Sequence, residues 1–131
     1  MSGTLKSIGA VVAGFVFILI THTVTDTILE SLGYFPKPGE GKLTHATAAI
    51  ALAYRTVFSI IGCYIAGALA PTRPMLHAMI IGIIGVVFSL LGLVVSIQMD
   101  LGPVWYPIAL AVLSVPIAWI GGKLASKRSI Q

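Results

Sequence analysis

Charge is what this sequence lacks. Asp, Glu, Lys and Arg make up 9% of its 131 residues, against about 25% in an ordinary soluble domain. A chain with 57% hydrophobic residues and mean hydropathy +1.02 could not cover its own surface with polar groups, which excludes a water-soluble globular domain. Cysteine is scarcer still: Cys63 alone permits neither an intrachain disulfide nor a cysteine cluster for zinc or iron–sulfur, and reads as core filling. The net charge of +4 does not gather into a basic face. Lysines and arginines stand singly except for Lys123, Lys127 and Arg128, a pattern of membrane orientation and not of nucleic-acid binding. No phosphate loop, Ser-His-Asp set, catalytic carboxylate pair or nucleotide fingerprint occurs, so no enzyme is expected, and no cofactor.

What is present in quantity is long apolar sequence. A helix that spans a hydrocarbon core of about 30 Å needs about 20 apolar residues, and the stretches 7–32, 44–70, 75–98 and 104–124 qualify. The segments between them carry Pro36, Pro38, Gly39 and Gly41, then Pro71 and Pro74, then Gly102 and Pro103, all of which break helices. The expected fold is all-α: one domain, residues 1–131, built as a bundle of four transmembrane helices with antiparallel neighbours. Lys6 followed by the run 8–20 resembles a signal peptide. No small-x-small site follows, however, and apolar residues return at Ile28, Leu29 and Leu32, so a retained helix is the expectation.

An excess of Lys and Arg marks the cytoplasmic side. With both termini inside, Lys6, Arg73, Lys123, Lys127 and Arg128 are cytoplasmic, and only Lys37 and Lys42 lie outside. Asp26, Glu30, Glu40 and Asp100 then fall in or toward the outer half. Tyr34, Phe35, Trp105 and Tyr106 are expected to form the outer aromatic belt, with Trp119 in the inner one.

Projected at 100° per residue, each helix gathers its small residues on one stripe. Thr44, Ala48, Ala51, Arg55, Ser59, Gly62 and Ala66 lie on the second helix; Ala78, Gly82, Gly85, Ser89, Gly92 and Ser96 on the third; Pro107, Ala111, Ser114, Ala118 and Gly122 on the fourth. The first helix sets Ala10, Gly14, Thr21, His22, Thr25 and Asp26 on one broad face. Small residues let backbones approach in lipid, so the stripes should face one another. Pro116 is expected to kink the fourth helix near Val112, whose freed carbonyl either stays idle or serves a ligand.

The unusual chemistry sits at Thr21–Thr27 and at Arg55. An unpaired arginine within the membrane costs roughly 2.5 to 3.5 kcal/mol and calls for a partner. By helical rise Arg55 is about 12 to 15 Å deep, Asp26 about 9 Å and His22 about 15 Å. An Asp26–Arg55 ion pair follows, with His22 one turn deeper and Glu30 one turn shallower. The candidate binding or proton-relay residues are Arg55, Asp26, His22, Glu30 and Thr25. Asp26, four residues after His22, could orient the imidazole, and the site could pass a proton or hold a small anion. Alternatively the pair only locks two helices together, and the threonines bond back to their own helix. His22, Asp26 and Glu30 form a ladder of possible metal ligands, but without a second His-containing motif no metal site is expected. His77 is expected at the cytoplasmic interface beside Arg73, His45 at the outer start of its helix, and Tyr54 in packing or in an interface with another subunit.

In size the chain resembles small multidrug-resistance transporters, which centre on a glutamate in the first helix; residues 1–25 here hold no acid. Fluoride-channel proteins are similar in size too, but their glycine-arginine signature is missing. Ala53-Tyr54-Arg55-Thr56, Ala68-Leu69-Ala70-Pro71-Thr72-Arg73-Pro74-Met75 with His77, and Trp105-Tyr106-Pro107 resemble the punctuation of a group of short bacterial inner-membrane proteins. That likeness implies four spans in an inner membrane and no stated activity. Two functions are open: a transport or channel-like protein, or a structural or regulatory subunit, either one with the lipid bilayer and further copies of itself as partners.

Overall fold

The computed structural model describes residues 3–36 and 41–130, the side chains of 128–130 excepted. Lys37, Glu40 and the Arg128 side chain, used above for orientation, lie outside the described residues. Four helices follow one another: α1 Gly3–Ser31, α2 His45–Leu69, α3 Pro74–Met99 and α4 Trp105–Ile130. Each is long and apolar enough to cross a membrane, and their exteriors carry the large aliphatics, as at Val12, Ile83 and Val112. The chain is thus a small four-span integral membrane protein. Helices α1 and α4 run past the expected ends at Ser7 and Leu124, because the apolar run sets the span whereas Thr4, Lys6, Ser126 and Lys127 prolong the helix without needing lipid.

Local chemistry ends the helices. After α1, Tyr34 N–H donates to Leu29 O and Gly33 N–H to Glu30 O, with Gly33 at φ +84: a Schellman closure that glycine makes without strain. Thr44 and Thr47 form a capping box at the start of α2. Pro74 opens α3, at a position where its missing N–H costs nothing.

Neighbours are antiparallel, as the glycine contacts show. A Cβ on Gly14 would stand 2.4 Å from Gly62 O, and one on Gly82 would stand 2.6 Å from Ala118 Cβ. Helices α2 and α4 run parallel, with Gly67 against Ala125 and Gly121 against Cys63. Helix α1 rests on α2, touches α3 slightly, and does not approach α4. The core is Cys63, Ala66, Ala78, Ile81, Ile117 and Ala118. All of it lies in the half of the bundle nearer the α2–α3 turn, where the small stripes do meet.

In the other half Ala48, Ala51 and Pro107 of the α2 and α4 stripes are still buried, but the α3 stripe is not matched. Gly85 still faces Ser114, but a Cβ on Gly92 would meet nothing within 4 Å. The outer stripe of α3 therefore faces open space, contrary to the expectation that all stripes pack together. Pro116 is accommodated within α4, and neither it nor Val112 borders either of the two cavities described below, which lend the ligand role for the Val112 carbonyl no support.

Candidate functional site

The open space is a chamber of about 660 Å³ bounded by all four helices: His22 from α1, Arg55 and Ser59 from α2, Ser89 from α3, and Tyr106 and Ser114 from α4 are among its walls. A smaller cavity of about 220 Å³ lies beside it, bordered by Asp26, Glu30, Phe35, Ala51 and Arg55. Arg55 and Tyr106 border both. Among the described residues no carboxylate lines the larger chamber, whereas two line the smaller.

The expected ion pair is present. Arg55 donates from Nη2 to Asp26 Oδ2 at 2.5 Å, with the two side chains 27% and 26% exposed. What the sequence reading missed is the other half of the carboxylate: Tyr54 donates its hydroxyl to Asp26 Oδ1. Positions 54 and 55 diverge by about 100° around their helix, so a carboxylate on the facing helix can sit between them and take both donors. The available signal was that a tyrosine hydroxyl within a membrane needs an acceptor. The assignment of Tyr54 to packing alone is corrected, although it also packs, against Phe35 and Phe58 with ring centroids 6.3 Å apart in each case.

His22 stands differently from the expectation. It borders the chamber and lies against Phe58 at 6.3 Å, and its Nε2 has no hydrogen-bond partner among the described residues. No hydrogen bond joins it to Asp26, whose carboxylate oxygens accept from Tyr54 and Arg55 on α2. Arg55 Nε is a second buried atom without a partner. Glu30 borders the smaller cavity, while Thr25 is half-buried on the same helix and borders neither. Thr21 and Thr27 bond back to their own helix, Thr21 to Phe17 O and Ile18 O and Thr27 to Thr23 O. His22, Asp26 and Glu30 do not converge: among the described residues no three His, Cys, Asp or Glu side chains come together.

Three further placements depart from expectation. Phe35 is buried, because the turn at Gly33 folds it back onto Tyr54, and Tyr106 points inward, one turn above Leu110 on the chamber face of α4. Only Tyr34 and Trp105 of the expected outer belt are exposed. His77 is not interfacial: it is 5% exposed and bonds through Nδ1 to Arg73 O at 2.9 Å. The tight approach of Gly67 to Pro74 draws the first turn of α3 under α2 and takes His77 with it.

The outer loops close over the chamber. Leu43 N–H donates to Leu101 O, and Gly102, at φ +153, leaves only 3.0 Å between an added Cβ and Leu43 Cβ. Lys42 pairs with Asp100 outside this contact, and Trp105 Nε1 donates to His45 Nδ1 beside it. Indole donates only, so His45 serves here as the acceptor.

Against known proteins the chain matches no family model, no curated protein and no solved structure. The likeness to short bacterial inner-membrane proteins therefore remains an expectation of the sequence, and function has to be argued from this site.

Proposed function

We propose that this is a small transport or channel-like membrane protein whose chamber receives a proton or an anion opposite Arg55. The observation that carries the reading is the position of Arg55: a guanidinium in the wall common to two cavities, balanced by one carboxylate, bordering a chamber that has no carboxylate of its own. An arginine at that depth is costly to keep without use, and in a medium of low dielectric it attracts an anion far more strongly than in water. We place the protein in a bacterial inner membrane with both termini inside, following the distribution of its lysines and arginines.

A second reading has its own support. Asp26 is held by Tyr54 and Arg55 together, which clamps α1 to α2, and the chain could be a structural subunit that assembles with further copies. Proteoliposomes separate the two. Proton, chloride and acetate flux through the wild-type protein should fall at least about tenfold in Arg55→Gln, the loss of one charge-assisted interaction, while insertion stays normal. If Asp26→Asn combined with Arg55→Gln restores what the single replacements lose, the scaffold reading stands and the transport reading falls.

A further inference from the structure

We propose that the chamber's ligand is an anionic single-chain amphiphile, drawn from the bilayer through the gap between α1 and α3, with its head on Arg55 and its chain along the outer half of α3. This rests on the anion-binding reading above and names the ligand's class.

The first ground is the shape of the opening. Helices α1 and α3 come together where Phe15 stacks on Phe88, ring centroids 6.0 Å apart, and where Gly14 meets Ile81. Beyond that contact the chamber is open-sided, with Leu19 on one rim and Gly92 on the other, where nothing stands within 4 Å of an added Cβ. Helix α4 does not reach α1 to close it. At the outer end Leu43 is bonded to Leu101 and Gly102 is pressed on Leu43. The open side between α1 and α3 leads from lipid.

The second ground is chemistry. The walls are largely apolar, among them Ile18, Leu110 and Ile117, yet they include one guanidinium, no carboxylate, and the buried unpaired Nε2 of His22. A hydrocarbon chain gains nothing from the hydrophobic effect when it exchanges lipid for an apolar wall. Selection therefore falls on the head group, and among the described residues the one charged group on the chamber wall is Arg55, whose partner Asp26 borders the smaller cavity. A cationic head finds no carboxylate on this wall, whereas a carboxylate head meets the Arg55 guanidinium, its charge balanced by an accompanying proton. The 660 Å³ on offer is that of a site for one compact molecule, within the roughly 300–1,000 Å³ usual for such pockets, which suits one chain.

The test uses the full chain in phosphatidylcholine nanodiscs and two photoreactive probes: palmitate with a diazirine on its chain, and a hexadecyl quaternary ammonium with the same diazirine. After irradiation, adducts are mapped by mass spectrometry. The palmitate probe should mark Leu19 and the Ser89 to Ser96 wall about tenfold more than the cationic probe, and Arg55→Gln should erase that difference, the size of one charge-assisted hydrogen bond. Gly92→Phe, which places a ring in free space, should exclude both probes from the chamber, while Arg55→Lys keeps the charge and part of the labelling. Shielding of the buried Cys63 from a thiol dye confirms that each variant is folded.

Equal marking by the two probes, or unchanged marking of Gly92→Phe, overturns the proposal. So does a disulfide between copies of Ser89→Cys, which means that a second copy fills the gap. Acetate flux that depends on Arg55 with no chamber adducts overturns the amphiphile and leaves the anion-binding reading in place. Flux and adducts that both ignore Arg55→Gln overturn the two together.

Discussion

Gly14 is the point on which α1 crosses α2, and Gly14→Ala tests whether that crossing holds the site together. The added methyl would stand 2.4 Å from Gly62 O, 2.9 Å from Ile81 Cδ1 and 3.0 Å from Ala66 Cβ. The isoleucine can turn aside, but the carbonyl is backbone and cannot, so the helices must part by on the order of 1 Å to restore a normal contact. Overpacking of this kind costs about 1 to 3 kcal/mol. Alanine also returns about 0.5 to 1 kcal/mol by favouring the helix, and a control must remove that gain. Gly9→Ala on the same helix provides it, since a Cβ there meets nothing within 4 Å.

Cys63 serves as the reporter. It is the chain's single cysteine, 1% exposed at the inner wall of the chamber, so a thiol dye too bulky for the chamber reaches it only when the bundle opens. In detergent micelles with a fast opening equilibrium, the labelling rate follows the open population. The rates of Gly14→Ala and Gly9→Ala should then differ by about 5- to 150-fold, which is 1 to 3 kcal/mol expressed as a ratio. The same rate in both would mean that α1 is not seated on Gly62, and the depth match between Asp26 and Arg55 would lose its structural basis.

Other replacements follow from single contacts. Tyr54→Phe removes one of the two donors to Asp26 and should cost about 1 to 3 kcal/mol by the same thiol assay, with Arg55 still paired; no change would mean that the hydroxyl bond is not made in the membrane. Gly102→Ala adds a Cβ 3.0 Å from Leu43 Cβ at a backbone φ of +153. It should loosen the cover, read as faster hydrogen exchange at the Leu43 amide, and unchanged exchange there would refute the cover.

The spans were legible because spanning is a matter of length and composition, and the Asp26–Arg55 pair because depth follows from helical rise alone. The inner stripes were legible for a related reason: Gly62 and Ala66, Ala78 and Gly82, and Ala118 and Gly122 each stand four residues apart on their helix, and close approach in lipid needs small residues. Periodicity states which way a residue faces, but not how far away the facing helix is at that height. That is why Ser89, Gly92 and Ser96, on the same stripe as Gly82, border a cavity instead of a neighbour. Tyr106 and His77 were misplaced because belt and interface assignments assume that residues at a helix end face lipid or water, whereas a tight turn or an inward face overrides position along the axis. The partners of a shared carboxylate were beyond reach as well: Asp26 accepts from Tyr54 and Arg55 on α2, and no bond joins it to His22.

Those two bonds also set the charge balance of any loading step. Asp26 and Arg55 together are neutral, and they are about one-quarter exposed. An anion arriving at Arg55 would leave the group with a net negative charge in surroundings where an uncompensated charge is costly. On the proposed reading the anion therefore enters with a proton, carried on its own head group or taken by His22, whose Nε2 is buried without a partner beside the same chamber. Acetate uptake into proteoliposomes should then be accompanied by about one proton per anion, and should generate no membrane potential. Uptake that builds an inside-negative potential would mean that bare anions pass, in which case the ion pair opens to admit them and Asp26 serves only to hold Arg55 between transits.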